Sequence, residues 1–502
     1  MGSWLSEREQ RLVAGAETAS AATPIPTQIV SNGEFLPPPQ SETQRRVEQR
    51  INELADDNGK HLGLSRRQFL QTGCGMAAAF LAMNEVYGTG VFQVDAAEAR
   101  QPDLTKARAD GLTGQFIFDV QTHFVRDDFD HKELLGLAKF AADHWNTALK
   151  GDTDSLIRYK FQNYMKEIYY DSDTNIALLS GAPFDDPSWL LLSNEQIVRA
   201  REVINDFAGS RRLLAHSVIT PKQPGWMEEV DKAIEVYKPD SWKAYTIGDP
   251  LAPSKFPWRL DDEQVVYPFY EKALKAGINI ICIHKGLLPV DYEKAFAGVW
   301  EYATPWDIGK AAKDWPQMTF VVYHSALRAF LELPDQAWNE FESTGRIKWA
   351  TDLAEIPQKF GVNNVYAELG TSFANSAVAH PKYCAALVGT LIQGFGAERV
   401  LWGTDSVWYG SPQWQIEAMR RLEIPEDMQK KYGFAPLGGA NSPVKQMIFG
   451  SNAARLYRLK LRAAENAPMP AYSADRLAHL RREYEGGAKE PSNLRYGYIR
   501  AG

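Results

Sequence analysis

Cysteine is scarce in this chain of 502 residues: Cys74, Cys282 and Cys384 are the whole complement. Three scattered thiols build neither a disulfide framework nor a CxxC-type metal site. Positive charge is also short. A net charge of −8 and a pI near 5.7, with no basic stripe, argue against nucleic-acid binding. Long apolar runs are missing too: the best candidate, Gly73 to Met83, falls well below the roughly 20 residues a bilayer span needs. No P-loop and no strand–GxGxxG–helix unit is present, so nucleotide-dependent chemistry is not expected. What the chain has is ample core material, 44% hydrophobic against 24% charged, in the proportions of an ordinary soluble protein. Tryptophan is abundant, and Trp242, Trp306, Trp408 and Trp414 fall near predicted loops where an apolar or aromatic substrate would meet them.

Residues 1–64 form a polar N-terminal extension with a proline-rich patch, Leu36-Pro37-Pro38-Pro39-Gln40. Within it Ser41 to Asp56 reads as an amphipathic helix, with Val47, Ile51 and Leu54 at helical spacing. It carries no visible chemistry and reads as an arm for the main domain or a partner subunit. Ser65-Arg66-Arg67-Gln68-Phe69-Leu70-Gln71 follows, and it resembles the twin-arginine export signal. The apolar run Gly73 to Met83 comes next, and Ala97-Glu98-Ala99 suits a signal peptidase, so 65–99 reads as a signal segment delivering the protein to the periplasm. Its position counts against this, because 64 residues precede it. The alternative is a helix of the mature, cytoplasmic protein.

From 112 to 458 apolar β-type runs alternate with longer helical stretches, the pattern of βα units and a parallel sheet. Eight strands are predicted, at 115–121, 174–180, 212–219, 239–246, 278–284, 318–324, 363–368 and 399–405. Helices fit between them at Glu195 to Ala208, Met227 to Tyr237, Gln264 to Ala276 and Ala379 to Gly394. Eight such units predict an α/β fold, a (β/α)8 TIM barrel, whose chemistry sits at the C-terminal strand ends. Residues 459–502 are left as a C-terminal tail.

Titratable residues fall at those ends. The first run, Phe116 to Phe124, brings Asp119, Gln121 and His123 to one face if it alternates as a strand. The fourth carries Lys243, the fifth closes in His284, the sixth in His324, the seventh in Glu368 and the eighth in Asp405. Neutral imidazoles and carboxylates suit Zn(II), Mn(II) or Fe(II), and a catalytic site needs about three protein ligands and an open position. His123, His284 and Asp405 supply three, with Gln121 a weak fourth through its carbonyl. One divalent metal ion, zinc first, is therefore expected. His324 is placed as general acid or base, and Asp405 as acceptor of a proton from activated water. Lys243 and Trp408 are expected to contact substrate. Glu368 reads as a hydrogen-bond partner of the loops, and His131, His144, His216 and His380 as structural, with His131 and His144 placed to line a lid.

The order Gln121-Thr122-His123, His284, His324, Asp405 resembles the amidohydrolase superfamily, in its amidohydrolase-related branch of hydrolases and decarboxylases. Leu401-Trp402-Gly403-Thr404-Asp405 and the closing Gly450-Ser451-Asn452-Ala453-Ala454-Arg455-Leu456-Tyr457 extend the resemblance over about 112–458. It implies a (β/α)8 barrel with one divalent metal on His123, His284 and Asp405, His324 as the acid–base residue, and dimers as a common assembly. Two departures stand out. Gln121 replaces the His or Glu usual there, which weakens metal binding, and Leu327 stands where decarboxylases of the branch often carry Glu. The sequence therefore leads to a metal-dependent hydrolase of a C–O or C–N bond in a small acid, aromatic acids included. A non-oxidative decarboxylase (carboxy-lyase) is the second reading. A barrel that has lost its metal and only binds ligand is the third.

Overall fold

A computed structural model describes residues 23–30, 32, 38, 40–129, 159–186, 190–248, 254–288, 292–328, 334–459 and 475–486. At its centre eight parallel strands pair in sequential order. They are β1 (Phe118–Thr122), β2 (Ile176–Leu179), β3 (Leu213–Val218), β4 (Ser241–Tyr245), β5 (Ile280–His284), β6 (Thr319–Tyr323), β7 (Val365–Glu368) and β8 (Val400–Leu401). Each falls on a predicted run to within a residue. The outer edges meet: Val120 N donates to Trp402 O at 3.0 Å, Asp405 N donates to Gln121 O at 2.9 Å, and Thr122 bridges Ser406. The result is the (β/α)8 barrel that the alternation of runs requires.

Side chains alternate across the barrel wall. Ala244, Ile281, Ile283, Phe320 and Val322 face the helices, while Phe118, Val120, Ile176, Leu178, Cys282, Val321 and Tyr323 fill the interior. This phase corrects one expectation. Because Lys243 points inward, its neighbour Trp242 points outward, wholly buried against Phe269 with its indole N–H on Ile278 O, away from the mouth. The interior is floored by Tyr457, just beyond the helix Asn452–Leu456. Asn452 pins that helix to β8, donating to Ala397 O at 2.7 Å and Val400 O at 2.9 Å.

The wall helices follow the sequence signals. Ser193 caps Asn194–Ala208 in a reciprocal capping box with Gln196, and Gly209 ends it at φ 72°. The stretch read as one helix to Tyr237 begins as Trp226–Lys232 and finishes as a π-turn, Ala233–Tyr237.

The region before the barrel is folded onto it. Helix Glu42–Leu62 buries Val47, Ile51, Leu54 and Ala55, the face its spacing predicts. Ser65 then caps the short helix Arg66–Leu70, where Arg66 pairs with Asp56 at 2.6 Å and Phe69 turns inward. Helix Gly73–Tyr87 buries Ala77, Ala78, Ala79 and Phe80 in the same apolar cluster as the barrel's wall helices. Ile51, Phe69 and Phe80 are each at most 1% exposed, so each stabilises this packing by roughly 1.5–3 kcal/mol. Among the described residues no helix is long and apolar enough to cross a membrane. The three cysteines are free and buried.

Candidate active site

The strand ends converge as the barrel requires. His123, His284, His324 and Asp405, from β1, β5, β6 and β8, lie within 4% exposure of complete burial at one mouth. His123 Nε2 faces Asp405 Oδ1 at 3.0 Å, and His284 Nδ1 lies 3.1 Å from His324 Nε2. Gln121 joins the two pairs. Its amide nitrogen donates to Asp405 Oδ1 at 2.9 Å and lies 3.4 Å from His324 Nε2 and 3.5 Å from His123 Nε2.

Local backbone explains how these groups reach one point. In β1 the register shifts between Asp119 and Thr122, so the simple alternation expected for Asp119, Gln121 and His123 is not kept. Phe118 and Val120 enter the barrel interior. Asp119 is instead held by the loop after β8, accepting from Thr404 N at 3.1 Å and from the Thr404 hydroxyl at 2.5 Å. Burial raises the Asp119 carboxyl to about 7. His324 and Asp405 both sit in the left-handed region, at φ 61° and 59°. Non-glycine residues hold that conformation only where surrounding contacts enforce it. For His324 the enforcing contacts are visible. Its backbone N–H donates to Glu368 Oε2 at 2.9 Å and Ser325 Oγ donates to Glu368 O at 2.7 Å. Glu368 also accepts from Gly370 N at 2.6 Å, so it acts as the hydrogen-bond partner of these loops, and burial raises its carboxyl to about 8.

Electrostatics follows from burial. His324 Nδ1 faces Gly370 O at 2.9 Å, and a carbonyl only accepts, so Nδ1 carries the proton. Desolvation, opposed by Asp405 and assisted by Lys243, brings His324 down to about 4. The ring is neutral at pH 7, with a lone pair on Nε2. His284 is driven well below its ordinary value by burial, then by His324 and Lys243. For Asp405 burial acts upward, but hydrogen bonding and charge from His123 outweigh it and hold the carboxyl below its usual range. Thr371 Oγ1 donates to Asp405 Oδ2 at 2.6 Å.

The donor chemistry suits a divalent cation: three imidazoles, those of His284 and His324 kept neutral by burial, beside an ionised carboxylate. The Gln121 amide nitrogen stands 2.9–3.5 Å from Asp405 Oδ1, His324 Nε2 and His123 Nε2, and His123 Nε2 lies 3.0 Å from Asp405 Oδ1. Among the described residues no three His, Cys, Asp or Glu side chains are set to hold a metal by themselves, and the Gln121 amide stands among them. That amide turns its nitrogen inward, leaving Oε1 buried with no hydrogen-bond partner. A half-turn exchanges the two atoms and presents the oxygen, the end able to ligate.

Around this centre lie aromatic groups. Trp408 is 5.9 Å from the His123 ring and 5.2 Å from Tyr159, and Tyr245 stacks on His284 at 4.2 Å. Tyr245, Thr371 and Asn32, which donates to Asp405 Oδ2 at 3.1 Å, are site residues the sequence reading did not single out. Tyr245 was within reach, two places beyond Lys243 on the same face. Lys243 lies one layer lower, paired with Cys282 while Tyr245 pairs with His284. It is fully buried, its ammonium 3.6 Å from the centre of the Tyr323 ring. Trp306 is half-exposed and packs on Trp300, and Trp414 is buried with its N–H toward Tyr409 O. His216 bonds Tyr323 and Ser241, and His380 stacks on Trp338 and caps a helix. His131 and His144 lie outside the described residues.

Residues 250–459, the second half of the (β/α)8 barrel, match the Amidohydrolase family model (Amidohydro_2). No curated protein matches the sequence. Among solved structures, the 2,6-dihydroxybenzoate decarboxylase from Rhizobium is 15% identical with a TM-score of 0.40, over 69% of this chain and 99% of that one. The 5-carboxyvanillate decarboxylase from Sphingomonas paucimobilis is also 15% identical, with a TM-score of 0.37 and the same coverage. A zinc-bound amidohydrolase from Burkholderia multivorans is 13% identical, with a TM-score of 0.35, over 68% of this chain and 99% of that one.

Proposed function

We propose that the protein is a metal-dependent hydrolase cleaving a C–O or C–N bond of a small, apolar or aromatic acid. The observation carrying this reading is the buried mouth where His123, His284, His324 and Asp405 meet around the Gln121 amide. His123, His284 and Asp405 would hold one divalent ion, zinc first, with the Gln121 carbonyl as a fourth contact. When bound, such an ion supplies Lewis-acid chemistry, polarising a substrate oxygen or bringing the pKa of water from about 15.7 toward 7.

The chain's own groups do the rest. With Nδ1–H committed to Gly370 O and a pKa near 4, His324 offers a lone pair at Nε2. It therefore takes a proton from the attacking water, and the imidazolium so formed returns it to the leaving group. Asp405, held ionised, is the second acceptor at the same point. Tyr245, Tyr159 and Trp408 give an aromatic acid an apolar wall and exclude water. Lys243, beneath them, adds positive charge toward a substrate carboxylate while keeping His284 and His324 neutral.

The carboxy-lyase reading stays second for a specific reason. Leu327, three residues beyond His324, is a buried apolar group, so no carboxylate stands there to deliver a proton. The test is a screen of aromatic esters, lactones, amides and hydroxybenzoates on zinc-loaded protein, reading acid release and CO2 in parallel. Hydrolysis without CO2 supports the proposal. CO2 release from an intact ring acid, with no hydrolysis, refutes it.

A further inference from the structure

Asp405 has two oxygens and four partners. Oδ1 faces His123 and Gln121, and Oδ2 accepts from Thr371 and from Asn32. Three of those partners stand on barrel strands and loops. Asn32 does not: it is 373 positions away, in the extension before the barrel.

The segment carrying it is built into the fold. Ile25, Ile29 and Val30 are each 1% exposed. Val30 N donates at 3.1 Å to Asn375 Oδ1, on the helix Ser372–Ala379 that begins just after Thr371. The helices behind it hold the same part of the barrel. Gln44 Nε2 reaches Val378 O at 3.5 Å, and Tyr87 OH donates to Ala379 O at 2.8 Å. Further along, Gln93 N donates to Arg421 O and Glu423 N to Val91 O, both at 2.7 Å. These contacts fall on the segments after β7 and β8, whose loops carry Thr371 and Asp405.

We propose that Asn32, presented on this N-terminal strap, is a positioning residue for Asp405, and that the strap is a working part of the mature protein. The amide donor occupies the outer oxygen, so the carboxylate keeps Oδ1 turned toward His123 and Gln121. Removing the segment by cleavage at Ala97-Glu98-Ala99 would take away Asn32 together with the buried faces of three helices. Ala99 is itself 1% exposed in the fold. The proposal rests on reading Asp405 as a metal-site residue.

The experiment is a zinc competition titration of the full-length chain against a chromogenic chelator, with thermal unfolding of the zinc-free proteins alongside. Groups that orient a ligand typically govern metal affinity by 10–100-fold. Asn32→Ala is expected to weaken zinc retention about tenfold or more, with the zinc-free melt unchanged. Asn32→Leu, which keeps the volume and removes the amide donor, weakens it as far. Thr27→Ala, which alters the strap at its contact with Glu48 (3.3 Å), retains zinc as the wild type does. Wild-type affinity in both Asn32 variants overturns the proposal. Failure of the wild type to take up zinc at all refutes the metal reading instead. The intact mass of protein recovered from cells should include the strap. A chain beginning at Arg100 that holds zinc as tightly would overturn the inference.

Discussion

Gly403 is the residue whose substitution most directly exposes how the mouth is held. A Cβ built there would lie 1.7 Å from Glu368 Oε1 and 2.7 Å from its carboxyl carbon. Neither atom can retreat, because Glu368 is fully buried and bonded to two backbone N–H groups, those of His324 and Gly370. In Gly403→Ala the carboxyl must leave, stranding both. A buried donor left unpaired costs about 1–3 kcal/mol, so the pair costs roughly 2–6 kcal/mol before any overpacking. Stability of a typical domain is only about 5–15 kcal/mol. His324, whose left-handed backbone is fixed through its own N–H, should lose its orientation as well. Urea unfolding followed by tryptophan fluorescence measures the first effect, and turnover of the zinc-loaded protein the second. A Gly403→Ala protein within 0.5 kcal/mol of wild type, roughly the scatter of neutral surface changes, and equally active would refute the claim that Glu368 organises the mouth.

Two further outcomes are expected. His324→Ala should keep its zinc and lose about 10²–10⁴ in turnover, the range general acid–base catalysis supplies; a wild-type rate removes His324 from proton transfer. His380, which caps the helix that follows it, is brought to about 4 by burial, opposed by Asp335. It stays neutral in the fold while the unfolded chain, with the ordinary value of 6.5, takes up a proton. Stability should therefore fall as pH drops from 6.5 to 4, by about 3 kcal/mol at 1.36 kcal/mol per unit. His380→Asn, which can still cap its helix, should flatten that acid limb in urea melts at pH 4.5 and 7. An unchanged slope contradicts the assignment.

Much of this architecture is legible in the chain because its signals are local. Apolar runs such as Ile280 to His284 and Phe320 to His324 announce strands by composition, and each ends in the residue delivered to the mouth. The parts that are not legible depend on tertiary contact. The register shift in β1 falls after Asp119 and breaks its alternation with Gln121, and Asp119 bonds Thr404 instead, which no alternation rule anticipates. The left-handed backbone at His324 and Asp405 gives no sign in residue type, since neither position is glycine. Asn32 is invisible for the opposite reason: an asparagine in a polar extension has no pattern, and only the fold brings it to Asp405. The Ser65–Leu70 stretch shows a motif with two physical readings. The same Phe69 and Leu70 that suit an export signal also form the buried face of a capped helix.

The central claim is that His123, His284 and Asp405 hold one divalent ion despite the glutamine at position 121. Metal content of the purified, unchelated protein, by plasma mass spectrometry beside a His123→Ala control, tests it most directly. About one equivalent of zinc, manganese or iron in the wild type, lost in the control, is the result this account predicts. An empty wild-type protein that stays empty after reconstitution with each of those metals would contradict it, and would mean that the Gln121 amide closes the mouth in place of a cation.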